Sequence, residues 1–142
     1  MFLGEFNHTV DDKGRVSLPA KFRPELNEGL VVTHGLDGCL FIFTLTDFRA
    51  LGNRVSDLPL TLPGRRDFER MLFARAVSLS LDKQGRILLP QALREFAGVD
   101  GEVVVVGVNT RIEIWSQVAW QERCQKFEGG ALDEEHWAQL GI

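Results

Sequence analysis

The 142-residue chain is poor in the residues that build covalent or metal scaffolds. Its two cysteines, Cys39 and Cys124, stand far apart and outside any C-x-x-C pair, which excludes a disulfide framework and a thiol-based zinc motif. Two reduced, partly buried thiols in a reducing compartment are expected instead. His8, His34 and His136 are isolated and lack metal-ligand spacing, so neither a metal nor a cofactor is expected. No apolar run approaches the roughly 20 residues that span a bilayer. The first residues lack the basic start and apolar stretch of a secretion signal. A cytoplasmic protein with no membrane partner is the expectation. Positive charge is also short: sixteen basic residues face twenty acidic ones, for a net charge of −4. Four of those acids (Glu128, Asp133, Glu134 and Glu135) lie from position 128 onward, where no Lys or Arg occurs. The body, 1–127, is therefore neutral, with room for a local basic patch but not for a polybasic binding surface.

What is present is a repeat. The stretch Val10-Asp11-Asp12-Lys13-Gly14-Arg15-Val16-Ser17-Leu18-Pro19 returns as Leu81-Asp82-Lys83-Gln84-Gly85-Arg86-Ile87-Leu88-Leu89-Pro90. Asp, Gly, Arg, Leu and Pro are identical at an offset of 71 residues. Such self-similarity is read before any single element, because it governs the whole fold. Each copy has the pattern of strand, tight turn and strand. Gly14 and Gly85 suit the positive φ of a tight turn, and Asp11 and Asp82 can accept backbone N–H bonds across it. Past the turn, a period of two puts Arg15 and Arg86 on the face opposite the core. Pro19 and Pro90 suit the first turn of a helix.

Two readings of the D-x-x-x-R pair stand side by side. In one, it is an ion pair that pins the turn, an interaction usually worth about 0–1 kcal/mol at a surface. In the other, Arg15, Arg86, Lys13 and Lys83, with the backbone of Gly14 and Gly85, form a patch that reaches phosphates or guanine edges. The readings are compatible, with Asp11 and Asp82 holding the turn that presents each arginine. Lys13 and Lys83 do not align between the copies, so unequal contacts from the two halves are expected, with Arg15 foremost.

Along the chain, 2–10 reads as a strand entering a hairpin and 15–18 as its return. A short helix follows over 19–27, with Phe22 and Leu26 on one side and Gly29 as its stop. Strands at 30–33 and 39–43 flank a turn at 35–38. A helix capped by Thr46 or Asp47 runs to about Arg54, and 56–64 is a linker. Residues 65–75 read as a helix whose Arg66 and Arg70, diluted by Asp67 and Glu69, fit a solvated face or subunit contact better than DNA. The second half repeats the first: a strand to Leu81, a return at 86–89, a helix over 90–97 with Gly98 at its end, and a hairpin from 102–106 to 111–115. Gly107 aligns with Gly35 and Trp115 with Phe43, now at an offset of 72. The apolar run Val103–Val106 suits a strand covered on both faces. Ser116 caps a last helix, whose Trp120, Cys124 and Phe127 form a stripe suited to core or subunit interface. The acidic tail beyond Gly129 and Gly130 is expected to be mobile, with Leu132, Trp137 and Leu140 as anchors on a neighbour.

The opening Met1-Phe2-Leu3-Gly4-Glu5-Phe6, the run from His8 to Arg15 and the second copy from Asp82 to Arg86 closely resemble the MraZ family. These are bacterial transcriptional regulators with two tandem AbrB-like (SpoVT-AbrB) swapped-hairpin units. The resemblance spans nearly the full length and includes the spacing between copies. It implies a mixed, mainly β fold with short helices (α+β), arranged as a duplicated swapped-hairpin barrel with pseudo-two-fold symmetry. The first repeat is placed at 1–62 (core about 5–47, plus linker) and the second at 63–142 (core about 76–119, plus the last helix and tail). It further implies a ring-shaped homo-oligomer, nucleoid-associated, that binds short direct repeats in double-stranded promoter DNA of a division and cell-wall gene cluster, usually as a repressor. One unit of this modest charge binds weakly and salt-sensitively, and several units acting together supply affinity by avidity. An oligomeric assembly protein that binds no DNA is the alternative. An enzyme is not expected. Pyruvoyl self-cleavage needs a Gly-Ser bond that the chain lacks, no phosphate-cradling glycine loop occurs, and no Ser, Cys or His recurs as a nucleophile–base set. No small-molecule substrate is expected either.

Overall fold

The computed structural model describes residues 1–130 and 134–141. Leu132, expected as a tail anchor, and Asp133 lie outside the described residues. In chain order the elements are β1 (Phe2–Val10), β2 (Arg15–Ser17), a 3-10 helix (Ala20–Leu26), β3 (Leu30–His34), β4 (Leu40–Thr44) and α1 (Leu45–Ser56). Then come α2 (Arg65–Glu69), a π turn (Arg70–Ala74), β5 (Val77–Leu79), β6 (Arg86–Leu88), α3 (Gln91–Ala97), β7 (Gly101–Asn109), β8 (Arg111–Ser116), α4 (Gln117–Glu128) and α5 (Glu134–Gln139). The class is α+β, mostly sheet with short helices. Among the described residues no helix is long and apolar enough to cross a membrane.

The strands form an antiparallel six-stranded sheet, in the order β1-β7-β8-β4-β3-β5, and a separate two-stranded ribbon, β2-β6. Exchanging each strand of the first half for its counterpart in the second reverses this order onto itself. The halves interleave: β1 pairs with β7, β3 with β5, β4 with β8 and β2 with β6. The expected hairpin of 2–10 with 15–18 is replaced by these pairings, and the sheets stay open where a closed barrel was expected. At the turn one backbone bond, Asp11 N–H to Arg15 O at 2.9 Å, joins the two segments. Past it β2 leaves the plane of β1 and finds its ladder on β6. The remaining edges are β1, paired over all nine residues on one side, and the three-residue β5.

Burial follows the two-residue period of the strands. Leu40, Ile42, Val103, Val105, Ile112 and Ile114 face one way and join Val16, Leu18, Ile87, Leu89, Phe22, Leu26, Leu93 and Ala97 in a core between the sheet, the ribbon and the two short helices. Cys39, Phe41, Phe43, Val104, Val106 and Trp115 face the other way, where Phe48 and Leu51 of α1 and Ala119 and Trp120 of α4 pack on them. All of Val103–Val106 is buried, so the central strands are covered on both faces as their apolar run predicts. Burying one such side chain is worth about 1.5–3 kcal/mol.

Several local expectations need correction. The short helix expected over 19–27 is present at Ala20–Leu26 and is of the 3-10 type, since the Pro24 ring inside it would clash with an α-helical carbonyl one turn back. Its counterpart α3 has Glu95 at that place and is α-helical, with Arg94 N–H bonded to Pro90 O at 3.0 Å. The N-cap of α1 is Thr44, not Thr46 or Asp47; its hydroxyl accepts from Asp47 N at 3.0 Å. Ser116 does cap α4, accepting from Ala119 N at 3.1 Å. The helix expected over 65–75 turns into the π turn, whose Leu72 carbonyl accepts the buried Thr33 hydroxyl at 2.5 Å. No residue of α4 is buried, so its stripe is a half-covered border rather than core. Tail residues 134–139 are helical, with Trp137 and Leu140 exposed.

Candidate nucleic-acid interface

The two charged turns have one geometry. Asp11 Oδ1 accepts from the backbone N–H of Lys13 at 3.0 Å and of Arg15 at 2.9 Å, while Oδ2 accepts from Arg15 Nε at 2.7 Å. Asp82 Oδ1 accepts from Gln84 N and Arg86 N, both at 2.9 Å, and Oδ2 from Arg86 Nε at 2.9 Å. In each turn the glycine N–H also donates to the Asp carbonyl at 3.0 Å. Each carboxylate thus organises three donors, and the backbone carbonyl of the same residue takes a fourth. Those bonds favour its charged form: the Asp11 carboxyl is held down to about 2, chiefly by the Arg15 backbone N–H, and Asp82 is lowered chiefly by that of Arg86. Asp takes Nε of each guanidinium, which leaves Nη1 and Nη2 outside that ion pair. Arg15 and Arg86 side chains are 33% and 28% exposed.

Each turn is also gripped by the other half. Leu18 N–H donates to Gly85 O at 3.0 Å, and Leu89 N–H to Gly14 O at 2.9 Å. Arg23, from the first short helix, donates Nε to Leu18 O at 2.9 Å and lies over Gly85. Arg94, from α3, donates Nε to Leu89 O at 3.0 Å and lies over Gly14. Gly14 and Gly85 have φ of +88° and +76°, and a Cβ at either would run into the arginine above it. Glycine is required there twice over, by conformation and by contact. Arg23 and Arg94 carry the same offset of 71 as the turn residues. That coincidence was the signal available in the sequence, and the reading of the D-x-x-x-R copies alone passes over it.

The structure therefore brings Arg15, Arg86, Gly14, Gly85, Asp11 and Asp82 together around one ribbon. Lys13 and Lys83 sit exposed on the two turns. In the ribbon register Arg15 faces Leu88, Val16 faces Ile87 and Ser17 faces Arg86. Val16 and Ile87 point into the core, so Arg15, Ser17, Arg86 and Leu88 make up the outer face. Counting Lys13, Lys83, Arg23 and Arg94, six basic side chains surround this element against Asp11, Asp12 and Asp82. The local surface is positive although the chain is acidic. A two-stranded ribbon is narrow enough to enter the DNA major groove, where paired guanidinium donors match guanine O6 and N7.

The family model for MraZ protein, an antitoxin-like group, matches the chain twice, over residues 1–71 and 72–137. Among curated relatives, the transcriptional regulator MraZ of Carboxydothermus hydrogenoformans is 52% identical over 124 residues, 87% of each chain. That of Moorella thermoacetica is 50% identical over 126 residues, 89% of this chain and 88% of the relative. That of Clostridium acetobutylicum is 44% identical over 142 residues, the full length of both.

Proposed function

This chain belongs to the MraZ family, and from that premise we propose that it is a DNA-binding transcriptional regulator whose β2–β6 ribbon reads double-stranded DNA. The observation that carries the reading is the pair of Asp-braced arginines on the outer face of a ribbon made jointly by both halves. Arg15 and Arg86 supply the base contacts. Lys13 and Lys83 supply phosphate contacts, Gly14 and Gly85 let each turn come close to the DNA backbone, and Asp11 and Asp82 hold the turns in shape. The function is regulatory and not enzymatic.

The two repeat units, 1–62 and 63–142, act as one reading head. A single head covers few base pairs. Its affinity rises when identical heads of a ring-shaped homo-oligomer engage short direct repeats in a promoter of the division and cell-wall cluster, acting as a repressor on the nucleoid. Support for self-association comes from the sheet face opposite the ribbon. A cleft of about 280 Å³ opens there among Phe41, Phe43, Leu51 and Phe68. In the linker, Leu58, Leu60 and Leu62 are exposed.

The test is a mobility shift on promoter DNA carrying spaced repeats. Arg15→Ala should abolish the shift and leave particle mass and melting temperature within a few degrees of the parent, since an exposed ion pair is worth only about 0–1 kcal/mol. Unfolding of Arg15→Ala, or an unchanged shift, would contradict the assignment. Particles of ring size that ignore repeat DNA at low salt would favour the assembly role.

A further inference from the structure

The outer face of the ribbon carries one residue that the pairing of charged turns does not use. Leu88 is 57% exposed, yet it stands in the middle of that face, directly opposite Arg15 and two residues from Arg86 on its own strand. A lone exposed leucine on a protein surface calls for no explanation. Here its surroundings are three polar residues, Arg15, Arg86 and Ser17, with a lysine on the turn at either end. Its place in the repeat matters as much. The offset of 71 pairs Leu88 with Ser17, so the two arms of the face read Arg-Val-Ser and Arg-Ile-Leu. The arginines are symmetric about the ribbon axis, and the residues two positions after them are not.

Directly opposed residues on paired strands have Cβ atoms about 4.5–5.5 Å apart. That is close to one and a half times the 3.4 Å step between stacked bases. An Arg15 engaged with a guanine therefore carries Leu88 to the edge of a neighbouring base pair. The group in the major groove that an aliphatic side chain can recognise is the C5-methyl of thymine. Ser17, beside Arg86, offers a hydroxyl that bonds either a donor or an acceptor and has no such preference.

We infer that Leu88 is a specificity-determining residue of the DNA-reading ribbon: it packs on the C5-methyl of a thymine next to the guanine held by Arg15, and its mismatch with Ser17 gives each protomer a polarity on its site. A two-fold symmetric face would favour an inverted repeat. A polar one favours sites that all run in one direction, the arrangement that identical heads following one another can share. This rests on the ribbon being the DNA-reading element.

The experiment is an anisotropy titration of the full chain against the repeat-bearing promoter fragment and a series of fragments in which each thymine of one repeat is replaced by deoxyuridine, which removes the methyl alone. One replacement per repeat should weaken binding about fourfold, the worth of one buried methyl group. Leu88→Ser should weaken binding to the parent fragment by a similar factor and lose the sensitivity at that thymine. Ser17→Leu should gain sensitivity at a position on the other side of the guanine pair. Circular dichroism melts should stay unchanged for both variants, since both positions face outward. Indifference of the parent chain to every replacement overturns the inference, as does a Leu88→Ser variant that keeps the same sensitivity. Neither result touches the ribbon assignment, which the Arg15→Ala mobility shift tests separately.

Discussion

Substituting Gly85 by alanine tests the interlock between the halves. Residue 85 has φ +76°, and an alanine held there costs roughly 1–2 kcal/mol in backbone strain. Its Cβ would overlap Arg23 Nε and Cζ. The guanidinium must move, and it gives up the bond from Nε to Leu18 O. A hydrogen bond from a charged donor is worth about 1.5–3 kcal/mol, and Arg23 is half-buried, so the lower end applies. The expected loss is about 3 kcal/mol, a fall in melting temperature of about 10 °C for a chain of this size. Arg23→Ala alone should cost about 1.5 kcal/mol, because it forfeits the same bond without straining the turn. The double variant then loses that bond once, not twice. It should stand near Gly85→Ala itself, about 1.5 kcal/mol short of the additive sum, a coupling of the size seen for residues in contact. Urea denaturation of the four proteins measures this cycle. Strict additivity would refute the packing of Arg23 over Gly85 and with it the account of how one half braces the other's turn. Gly14→Ala with Arg94→Ala should show the same sign with a smaller coupling, as the nearest approach there is 2.8 Å.

Other outcomes follow from single contacts. Thr44→Ala and Ser116→Ala each remove an N-cap and should lower stability by about 1 kcal/mol, visible in thermal melts, while Thr46→Ala should be near neutral. The Asp11 carboxyl titrates below its ordinary value of 3.8, at about 2. Its stabilising bonds are therefore complete above that ordinary value and are lost as pH falls toward the lower one. Asp11→Asn should flatten this part of the acid-unfolding curve relative to the parent; an identical curve would show the turn carboxylate to be uncoupled from folding. Burial pushes the Cys39 thiol well up, whereas Cys124 sits at the half-covered border on α4. A thiol reagent at neutral pH should label Cys124 in the native protein and Cys39 only once urea unfolds it.

Residues whose roles are local were readable from the chain. The turn chemistry of Asp11, Gly14 and Arg15 needs five consecutive residues, and the second copy at 82–86 repeats it. The alternation of Val16 and Leu18 against Arg15 and Ser17 set the core and solvent faces, and the Val103–Val106 run marked a strand buried on both sides. What escaped depends on partners distant in sequence. β2 resembles the return strand of a hairpin, but its hydrogen bonds go to β6, because the Asp-closed turn sends it out of the plane of β1. Arg23 and Arg94 look like ordinary helix-surface residues until the opposite half is placed beneath them. Pro24 sits where either helix type fits the apolar spacing, and its ring, which would clash with an α-helical carbonyl one turn back, selects the tighter one. Thr44 ends a strand and caps a helix at once, so a search for a cap just inside the helix overshoots it. Closure into a barrel was an expectation of resemblance, and the edge pairings of β1 and β5 decide it, which no local pattern encodes.

Amide hydrogen exchange on the full chain, with and without promoter DNA carrying spaced repeats, locates the reading surface most directly. Residues 11–17 and 82–88 should gain protection together in the presence of DNA, while the amides of α1 and the cleft beside it exchange as before. Protection confined to α1 and its cleft, with both turns exchanging unchanged, would contradict the assignment of the ribbon as the element that meets DNA.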